Sequence, residues 1–420
     1  MMIFTALSPN TQKDDFKLAL NLIFKRDEYL EGKYRDLVRN WFKDYFEIKY
    51  VATYESARTA LYFLLKEFGI GNGDKVAVQA FTCVAVVNPI KWTGAKPIFI
   101  DIDPKNFNMD LDDLENKING NVKAIIFQHT FGYPEGIDKV IELARSKGIY
   151  VIEDCAHTIG TEYRGKKLGS FGDAAIFSLG RDKAVSASFG GVSITKRRKY
   201  GSKLVEKEKF LNSCSKSWVF KQILYTVVSY LTRNLYGISV LGKLIHFVST
   251  KLELINRATT NLEKESGEMP QFVKSIMPNA FAKVAYNQLE KLDELNKKRS
   301  EIYDYYLKEV KEMKTSKITL PEWKEINKFY PIRFPLLVKK RDKLIEYAER
   351  NGIILGKWYD TPVAPKGVDL LAAGYKRGSC PKAEKVCDNI VNLPIHINLR
   401  KKDISKIIKV LKSFYRIREI

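Results

Sequence analysis

Between residues 51 and 200 the sequence alternates short apolar runs with longer stretches of helical character. The apolar runs at 124–127 (AIIF) and 150–154 (YVIED) are continuous, which is typical of strands covered on both faces. Strands that alternate with helices at this spacing indicate an α/β fold with a mostly parallel sheet flanked by helices. The predicted strands are 75–78, 96–100, 122–128 and 149–153, and the predicted helices are 56–68, 84–93, 110–118 and 137–147.

Changes in this rhythm divide the chain into four parts. They are an N-terminal helical segment (1–50), a large domain (51–200) and a divergent basic and apolar helical insertion (201–278). The fourth part (279–420) is a long helix followed by a smaller C-terminal α+β domain. Within these parts we predict a helix over 27–45, a long charged helix over 281–310 and a strand over 332–338.

Charge and cysteine content limit the partners of the chain. Its 420 residues carry a net charge of +22, which favours an anionic partner or else a well-solvated lysine-rich surface. We expect no nucleic acid partner, because zinc-finger spacing, an RNP-like motif and a long basic run are all absent from the sequence. The five cysteines lack metal-ligand spacing, so we predict no metal site. Without a signal-like start, the chain is predicted to be cytoplasmic, with its thiols reduced.

The stretch 151–191 brings together residue types that suit a bound cofactor. Asp154 ends an apolar strand, at the sheet edge where ligands of α/β proteins bind, and its carboxylate can pair with a protonated ring nitrogen. Ser178 follows the next strand and can donate to a phosphate. Lys183 lies five residues later in a stretch rich in Gly and Ser, and a buried lysine amine can attack a carbonyl. Each residue alone has an ordinary alternative as a cap, turn or surface residue.

Together, these residues and the sequence blocks around them resemble the DegT/DnrJ/EryC1/StrS family of sugar aminotransferases, which have the aspartate aminotransferase (fold type I) architecture. The blocks that carry the resemblance are 153–157 (EDCAH), 169–173 (GSFGD) and 177–183 (FSLGRDK), with further matches at 71–74, 92–104, 128–134, 374–375, 381–384 and 392–394. The resemblance extends over about 53–411 and is interrupted near 200–270.

The resemblance implies pyridoxal 5'-phosphate (PLP) as the cofactor and assigns roles to individual residues. Lys183 would hold the cofactor covalently and act as general base and acid, and Asp154 would bind the pyridine nitrogen. His157 would contact the cofactor, and its alternative is a core histidine with protein partners. Ser178 would bind the phosphate, together with the start of the helix after Ser56.

Several positions depart from the family pattern. The usual Ser-Gly-Thr at the helix start is Ser56-Ala57-Arg58, where Arg58 is either a phosphate ligand or a surface arginine. Cys83 takes the place of the aromatic residue that stacks on the cofactor, unless Phe81 replaces it. Lys274 and Ile276 replace the Asn and Arg of a Gly-x-Asn-x-Arg-Met block. In relatives that Asn reaches the phosphate bound by the partner subunit, and Lys274 is the predicted substitute.

The segment 209–252 contains no Asp or Glu, and it carries six basic residues among Trp, Tyr, Phe and Leu. Its charge-free stretches are well short of the ~20 residues that span a bilayer. We predict two helices broken near Gly237. They either lie on an anionic membrane surface or form an arm packed on the partner subunit or over the active site.

The predicted function is amino transfer, from glutamate as implied by the resemblance, to a keto sugar nucleotide in amino-sugar or surface-polysaccharide synthesis. The predicted assembly is a homodimer with its active site near the subunit interface. One alternative is a sugar dehydratase or deoxygenase of the same fold, although those relatives carry His where this chain has Lys183. Another is a membrane-associated homologue that keeps the fold without turnover. A third alternative, a nucleic-acid binder, is supported by the net charge alone.

Overall fold

A computed structural model describes residues 2–236, 241–251, 255 and 258–417 of the chain. The strands are β1 Ile3–Phe4, β2 Tyr50–Tyr54, β3 Lys75–Gln79, β4 Thr82–Cys83, β5 Lys96–Ile100, β6 Val122–Gln128, β7 Tyr150–Asp154, β8 Glu162–Tyr163, β9 Lys166–Lys167, β10 Ala174–Ser178, β11 Gly191–Thr195, β12 Ile318–Thr319, β13 Arg333–Val338, β14 Ile353–Ile354, β15 Val363–Ala364 and β16 Ile390–Pro394.

The helices lie between and around these strands. They are α1 Lys13–Phe24, α2 Tyr34–Phe46, α3 Ala57–Glu67, α4 Val84–Trp92, α5 Leu111–Lys117, α6 Ile137–Ser146, α7 Arg198–Glu208, α8 Lys216–Leu235, α9 Leu241–Lys251, α10 Asn261–Glu265, α11 Asn279–Leu289, α12 Leu292–Glu312, α13 Arg341–Arg350, α14 Pro381–Asn389 and α15 Lys401–Tyr415. Short 3₁₀ turns cover Arg26–Tyr29 and Thr130–Gly132.

A seven-stranded sheet forms the centre of the large domain, in the order β2-β11-β10-β7-β6-β3-β5. The neighbours from β10 to β5 pair in parallel, whereas β11 is antiparallel to both β10 and β2. Because both faces are covered by helices, β6 and β7 are buried along nearly their whole length. The predicted α/β class with a mostly parallel sheet is confirmed.

The smaller C-terminal part is built on the antiparallel sheet β12-β13-β16. Its core joins β13 and β16 to α12, α13 and α15 through buried aliphatic side chains, among them Leu336, Leu344, Leu393 and Ile407. This matches the predicted C-terminal α+β unit.

Two predicted helices are wrong in their continuity. The helix predicted over 281–310 is α11 followed by α12, because Lys291 leaves the helical region with φ −108° and ψ 10°. The turn lets α11 stay in the large-domain core while α12 reaches the C-terminal part. The helix predicted over 27–45 is a 3₁₀ turn and α2, separated at Gly32, whose φ is +143°. A Cβ at Gly32 would lie 2.6 Å from the Asn279 side chain, so glycine is required for this approach.

The divergent segment divides into parts with different surroundings. α7, at its start, packs on the large domain, where Glu208 accepts a hydrogen bond from the Thr53 amide at 3.1 Å. α8 places Val219, Ile223 and Val227 in the large-domain core.

The predicted membrane contact is therefore wrong for α8, because its apolar face is turned into the protein. It stays a prediction for α9, where the exposed apolar side chains are Leu241, Leu244, Phe247 and Val248. Within the described ranges no helix is both long and apolar enough to cross a bilayer. The break predicted near Gly237 falls outside the described residues, as do Leu252 and the Lys243 side chain.

Candidate active site

A cavity of about 350 Å³ opens at the carboxyl ends of β7 and β10. This volume lies within the ~300–1,000 Å³ typical of small-molecule sites. The large domain supplies most of its wall, and the rest comes from the divergent segment and from the chain around β15. Eight of the nine residues predicted for the site line this one cavity, namely Ser56, Ala57, Arg58, Cys83, Asp154, His157, Ser178 and Lys183.

Lys183 follows β10 in a loop that is held at its main chain. Its amide donates to the Gly180 carbonyl at 3.2 Å, and its carbonyl accepts the Asn10 side-chain amide at 2.8 Å. The side chain enters the cavity, with Nζ 4.7 Å from the centroid of the Trp358 ring. Burial lowers the pKa of Lys183, against the opposing influence of Cys83 and Asp154. A lowered pKa increases the fraction of free amine, which is the nucleophilic form.

Asp154 is the last residue of β7, and its carboxylate also faces the cavity. Its Oδ1 accepts the Ala156 amide at 2.9 Å, which fixes the side chain at the strand end. Burial raises the pKa of Asp154, while Lys183 and His129 favour the charged form. A buried carboxylate of this kind is stabilised by a cationic partner, and a protonated pyridine nitrogen is such a partner.

The helix start at Ser56 has the features of a phosphate site. Ser56 is the N-cap of α3 in extended conformation, and its side chain makes no capping hydrogen bond to the helix. The Ser56 hydroxyl donates instead to Glu55 at 2.9 Å. The first-turn amides of α3 are therefore free of a side-chain cap and suit an anion, and Ser178 lines the same cavity. These residues fit the phosphate of PLP.

Arg58 does not offer a free charge to that phosphate. Its guanidinium forms an ion pair with the buried Glu263, and its NH2 donates to the Ala258 carbonyl at 2.8 Å. Arg58 contributes to the cavity wall, but the predicted salt bridge from its side chain to phosphate is wrong in this arrangement. Its main-chain amide, in the first turn of α3, remains a candidate phosphate ligand.

His157 has protein partners for both ring nitrogens. Nδ1 accepts the Phe131 amide at 3.1 Å, and Nε2 lies 2.8 Å from the Tyr359 hydroxyl. Burial, Lys183 and Arg333 lower the pKa of His157 well below its usual value, so the ring is neutral and Nε2 carries the proton. The alternative interpretation, a core histidine whose hydrogen-bond partners belong to the protein, describes this arrangement. A bond to the cofactor would have to replace the one to Tyr359.

One aromatic wall of the cavity is formed by Trp358 and Tyr359, which the sequence analysis missed. The Trp358 ring stacks on His157, with centroids 5.0 Å apart and planes at 16°. Phe81, considered as a substitute for stacking, is fully buried against Tyr359 and other aromatic rings. Cys83 faces the cavity as a thiol whose pKa is raised by burial. The stretch 357–360 has no periodicity, so the sequence carried no signal for this wall.

Pairing between two distant strands brings this wall to the site. β15 pairs in parallel with β4, with Val363 opposite Thr82 and Ala364 opposite Cys83. Asn392 of β16 holds the loop from the other side, since its side chain bonds both the amide and the carbonyl of Trp358. The C-terminal part therefore contributes directly to the cavity.

Lys274 is the one predicted site residue that the structure places elsewhere. Its side chain is exposed and lies against Tyr62, with Nζ 4.8 Å from the ring centroid. It does not line the cavity of its own chain. The contact that we predict for it, with the phosphate of a partner subunit, stays a prediction.

Glu153, next to Asp154 in the chain, organises the turn beneath the site. Its carboxylate accepts the amides of Gly169, Phe171 and Gly172 at 2.7 Å each and contacts His129 Nε2 at 2.8 Å. These contacts explain the Gly-Ser-Phe-Gly-Asp block as a structural turn. His129, Glu153 and Cys155 lie close enough together to resemble a metal site, but the contacts just described already use the Glu153 carboxylate.

From Glu55, beside the start of α3, we predict that the stability of the protein depends on pH. Burial raises its pKa from about 4.5 to about 8. The folded protein then keeps a proton that the unfolded chain releases, so stability falls as the pH rises between these two values and levels off above. Between pH 6 and pH 8, the free energy of unfolding measured in urea should fall by about 2 kcal/mol more in wild type than in Glu55→Gln. Identical pH profiles of the two proteins would refute this assignment.

Similarity to known proteins agrees with this geometry. The family model of the DegT/DnrJ/EryC1/StrS aminotransferase family matches residues 10–412. The chain belongs to this family. PLP is its cofactor, and the residues described above fit that group in a single cavity. A putative sugar aminotransferase from Streptococcus pneumoniae, in its PLP form, has the same fold with a TM-score of 0.73 and 20% identity, covering 100% of both chains.

Individual relatives differ in how much of the chain they match. The GDP-perosamine synthase of Escherichia coli O157:H7 is 39% identical over 165 residues, which span 39% of this chain and only 45% of that protein. A pleiotropic regulatory protein of Geobacillus stearothermophilus is 26% identical over 407 residues, covering 96% of this chain and 95% of that protein. Neither the predicted homodimer nor the cytoplasmic location is tested by these similarities, and both stay predictions.

Proposed function

We propose that this protein transfers an amino group from glutamate to a keto carbon of a nucleotide-linked sugar. The observation that carries the proposal is the position of Lys183 and Asp154 on one buried cavity, beside a helix start that suits phosphate. The family membership and the partial similarity to GDP-perosamine synthases support a sugar nucleotide as the acceptor. The net charge of +22 also favours a substrate that carries a diphosphate.

The residues divide the chemistry between them. Bound PLP supplies a conjugated ring that accepts an electron pair when a C–H bond next to the attached nitrogen breaks. The Lys183 amine holds the cofactor and moves a proton to and from carbon, a task that its lowered pKa favours. Asp154 keeps the ring nitrogen protonated, and Trp358 and Tyr359 exclude water from one side of the cavity.

An absorbance experiment tests the proposal. The protein with PLP should show the visible band of a lysine-bound cofactor, and glutamate should bleach it. A keto sugar nucleotide should then restore it, and guanosine diphosphate sugars are the first to try because of the GDP-perosamine synthase relatives. Aspartate and alanine serve as alternative donors. If no amino acid bleaches the band, the transaminase proposal fails.

One observation favours a second candidate. A relative that matches almost the whole chain is a pleiotropic regulatory protein. In that case the fold would bind PLP and act through a partner, without turnover. The same experiment separates the two functions, since a stable visible band with no response to any donor is the result expected of the regulator. The dehydratase alternative is disfavoured by Lys183 itself.

A further inference from the structure

Helix α8, part of the divergent segment, lies against the active-site cavity. Tyr225 from its middle lines the cavity, and Gln222 and Thr226 on the same face are buried. Thr226 contacts the Ser188 hydroxyl, which ties the helix to the loop that carries Lys183. This face of α8 is therefore part of the site and not a free surface.

Arg181 is the residue that α8 holds in place. It lies in the loop between Ser178 and Lys183, lines the cavity and is only 8% exposed. Its NH2 donates to Gln222 Oε1 at 2.6 Å, and its guanidinium carbon stands 3.5 Å from the centroid of the Tyr225 ring. Its Nε has no hydrogen-bond partner within the described part of the chain.

The charge of Arg181 differs from that of its neighbour Arg58 in how it is balanced. Both guanidinium groups stand on the same aromatic ring, Phe189, at 5.6 and 5.7 Å from its centroid. Arg58 is neutralised by Glu263, whereas Arg181 forms no ion pair with any carboxylate among the residues described. The nearest opposite charge, that of Asp182, acts on Arg181 only from beyond ion-pair distance. A buried cation without a paired carboxylate is costly, so this position is suited to receive an anion.

The neighbours of Arg181 indicate which anion. Ser178 is three residues before it in the chain, and the start of α3 at Ser56, which has no side-chain cap, lines the same cavity. Donors from the end of β10, from the loop that follows it and from a helix start together match a phosphate group. Because these donors share one cavity with Lys183, the phosphate of the cofactor is the closest candidate, ahead of a phosphate of the sugar nucleotide.

We propose that Arg181 binds the cofactor phosphate and that α8 positions it, so that each chain closes the phosphate end of its own pocket. The proposal rests on PLP as the cofactor and not on the amino-transfer reaction. It gives the divergent segment a role in the site, at an end of the pocket where the family resemblance implies a contact from the partner subunit.

The test compares PLP with pyridoxal, which lacks the phosphate. Apo-protein is titrated with each compound, and binding is measured from the visible absorbance band. Arg181→Gln should weaken PLP binding about 10- to 100-fold, the value of a lost charge-assisted hydrogen bond, and leave pyridoxal binding unchanged. Inorganic phosphate should compete with PLP less well in the variant. An equal loss of affinity for both compounds would mean structural damage and would overturn the assignment.

Two further arms address the source of the phosphate and the role of α8. Weaker binding of a sugar nucleotide with unchanged PLP affinity would assign Arg181 to the substrate and reject the proposal. Gln222→Leu should weaken PLP and not pyridoxal, whereas Thr232→Ala, also buried on α8 but outside the cavity wall, should change neither. Wild-type PLP affinity in Gln222→Leu would contradict the positioning role of the helix.

A mixing experiment tests whether each chain acts on its own pocket. The variants Lys183→Ala and Arg181→Gln are combined under conditions that let subunits exchange. If Arg181 serves its own chain, every pocket lacks one of the two groups, and no tight lysine-bound PLP appears. Recovery of wild-type PLP affinity in the mixture would show that the partner supplies the arginine, and it would overturn the proposal.

Discussion

Lys183→Ala is expected to lower kcat for amino transfer by at least about 10³-fold, since a positioned acid–base group alone contributes about 10²–10⁴. The variant loses both the covalent attachment of the cofactor and the amine that moves the proton. Because the α3 start and Ser178 remain, PLP should still bind, but without the visible band of a lysine-bound cofactor. Borohydride reduction followed by peptide mapping should label Lys183 in wild type and no lysine in the variant.

A second lysine on the same cavity gives the matched control. Lys357 lines the cavity wall but is exposed, and it does not stand against Trp358 as Lys183 does. Lys357→Ala removes the same charge and should keep both the visible band and the label at Lys183. A label at Lys357, or a Lys183→Ala protein that still turns over, would contradict the assignment of the catalytic amine.

Asp154→Asn is expected to lower kcat by about 10²–10³-fold, because losing one partner of a buried ion pair costs about 3–5 kcal/mol. The amide has nearly the same shape but cannot stabilise a positive charge on the ring nitrogen. The cofactor should remain attached at Lys183. Single-turnover bleaching by glutamate measures the effect directly, since it reports the proton-transfer half of the reaction and not product release.

Asp182→Asn is the control for this charge change. Asp182 lines the same cavity, and its Oδ1 accepts the Ser8 amide at 2.9 Å, so its carboxylate serves the loop structure. We expect a much smaller effect on the bleaching rate from this variant. Equal rates for wild type and Asp154→Asn would show that Asp154 does not face the ring nitrogen.

Much of the large domain was predictable because its signals are local. Continuous apolar runs identified β6 and β7, and the alternation with helices indicated the parallel sheet. The antiparallel direction of β11 was not predictable in this way, because it follows from pairing with β10 and β2. The breaks at Gly32 and Lys291 were also missed, since each depends on how neighbouring helices pack.

The site was predictable where its residues come from consecutive parts of the chain. Asp154 and Ser178 end β7 and β10, which are neighbours in the sheet, so their carboxyl ends meet at one edge. Trp358 was missed because it reaches the cavity from the C-terminal part through the pairing of β15 with β4. Arg58 was misjudged because its ion-pair partner, Glu263, comes from a distant segment.

The sequence by itself determined the family, the cofactor and the order of Asp154, Ser178 and Lys183, because these depend on short blocks whose residues adjoin along the chain. Only the tertiary structure decided that α8 is buried against the cavity, and that Arg58 has an ion-pair partner while Arg181 has none among the described residues. Whether a buried charge has a counter-ion depends on which distant side chains pack against it. That contact pattern has no period along the chain from which it could be read.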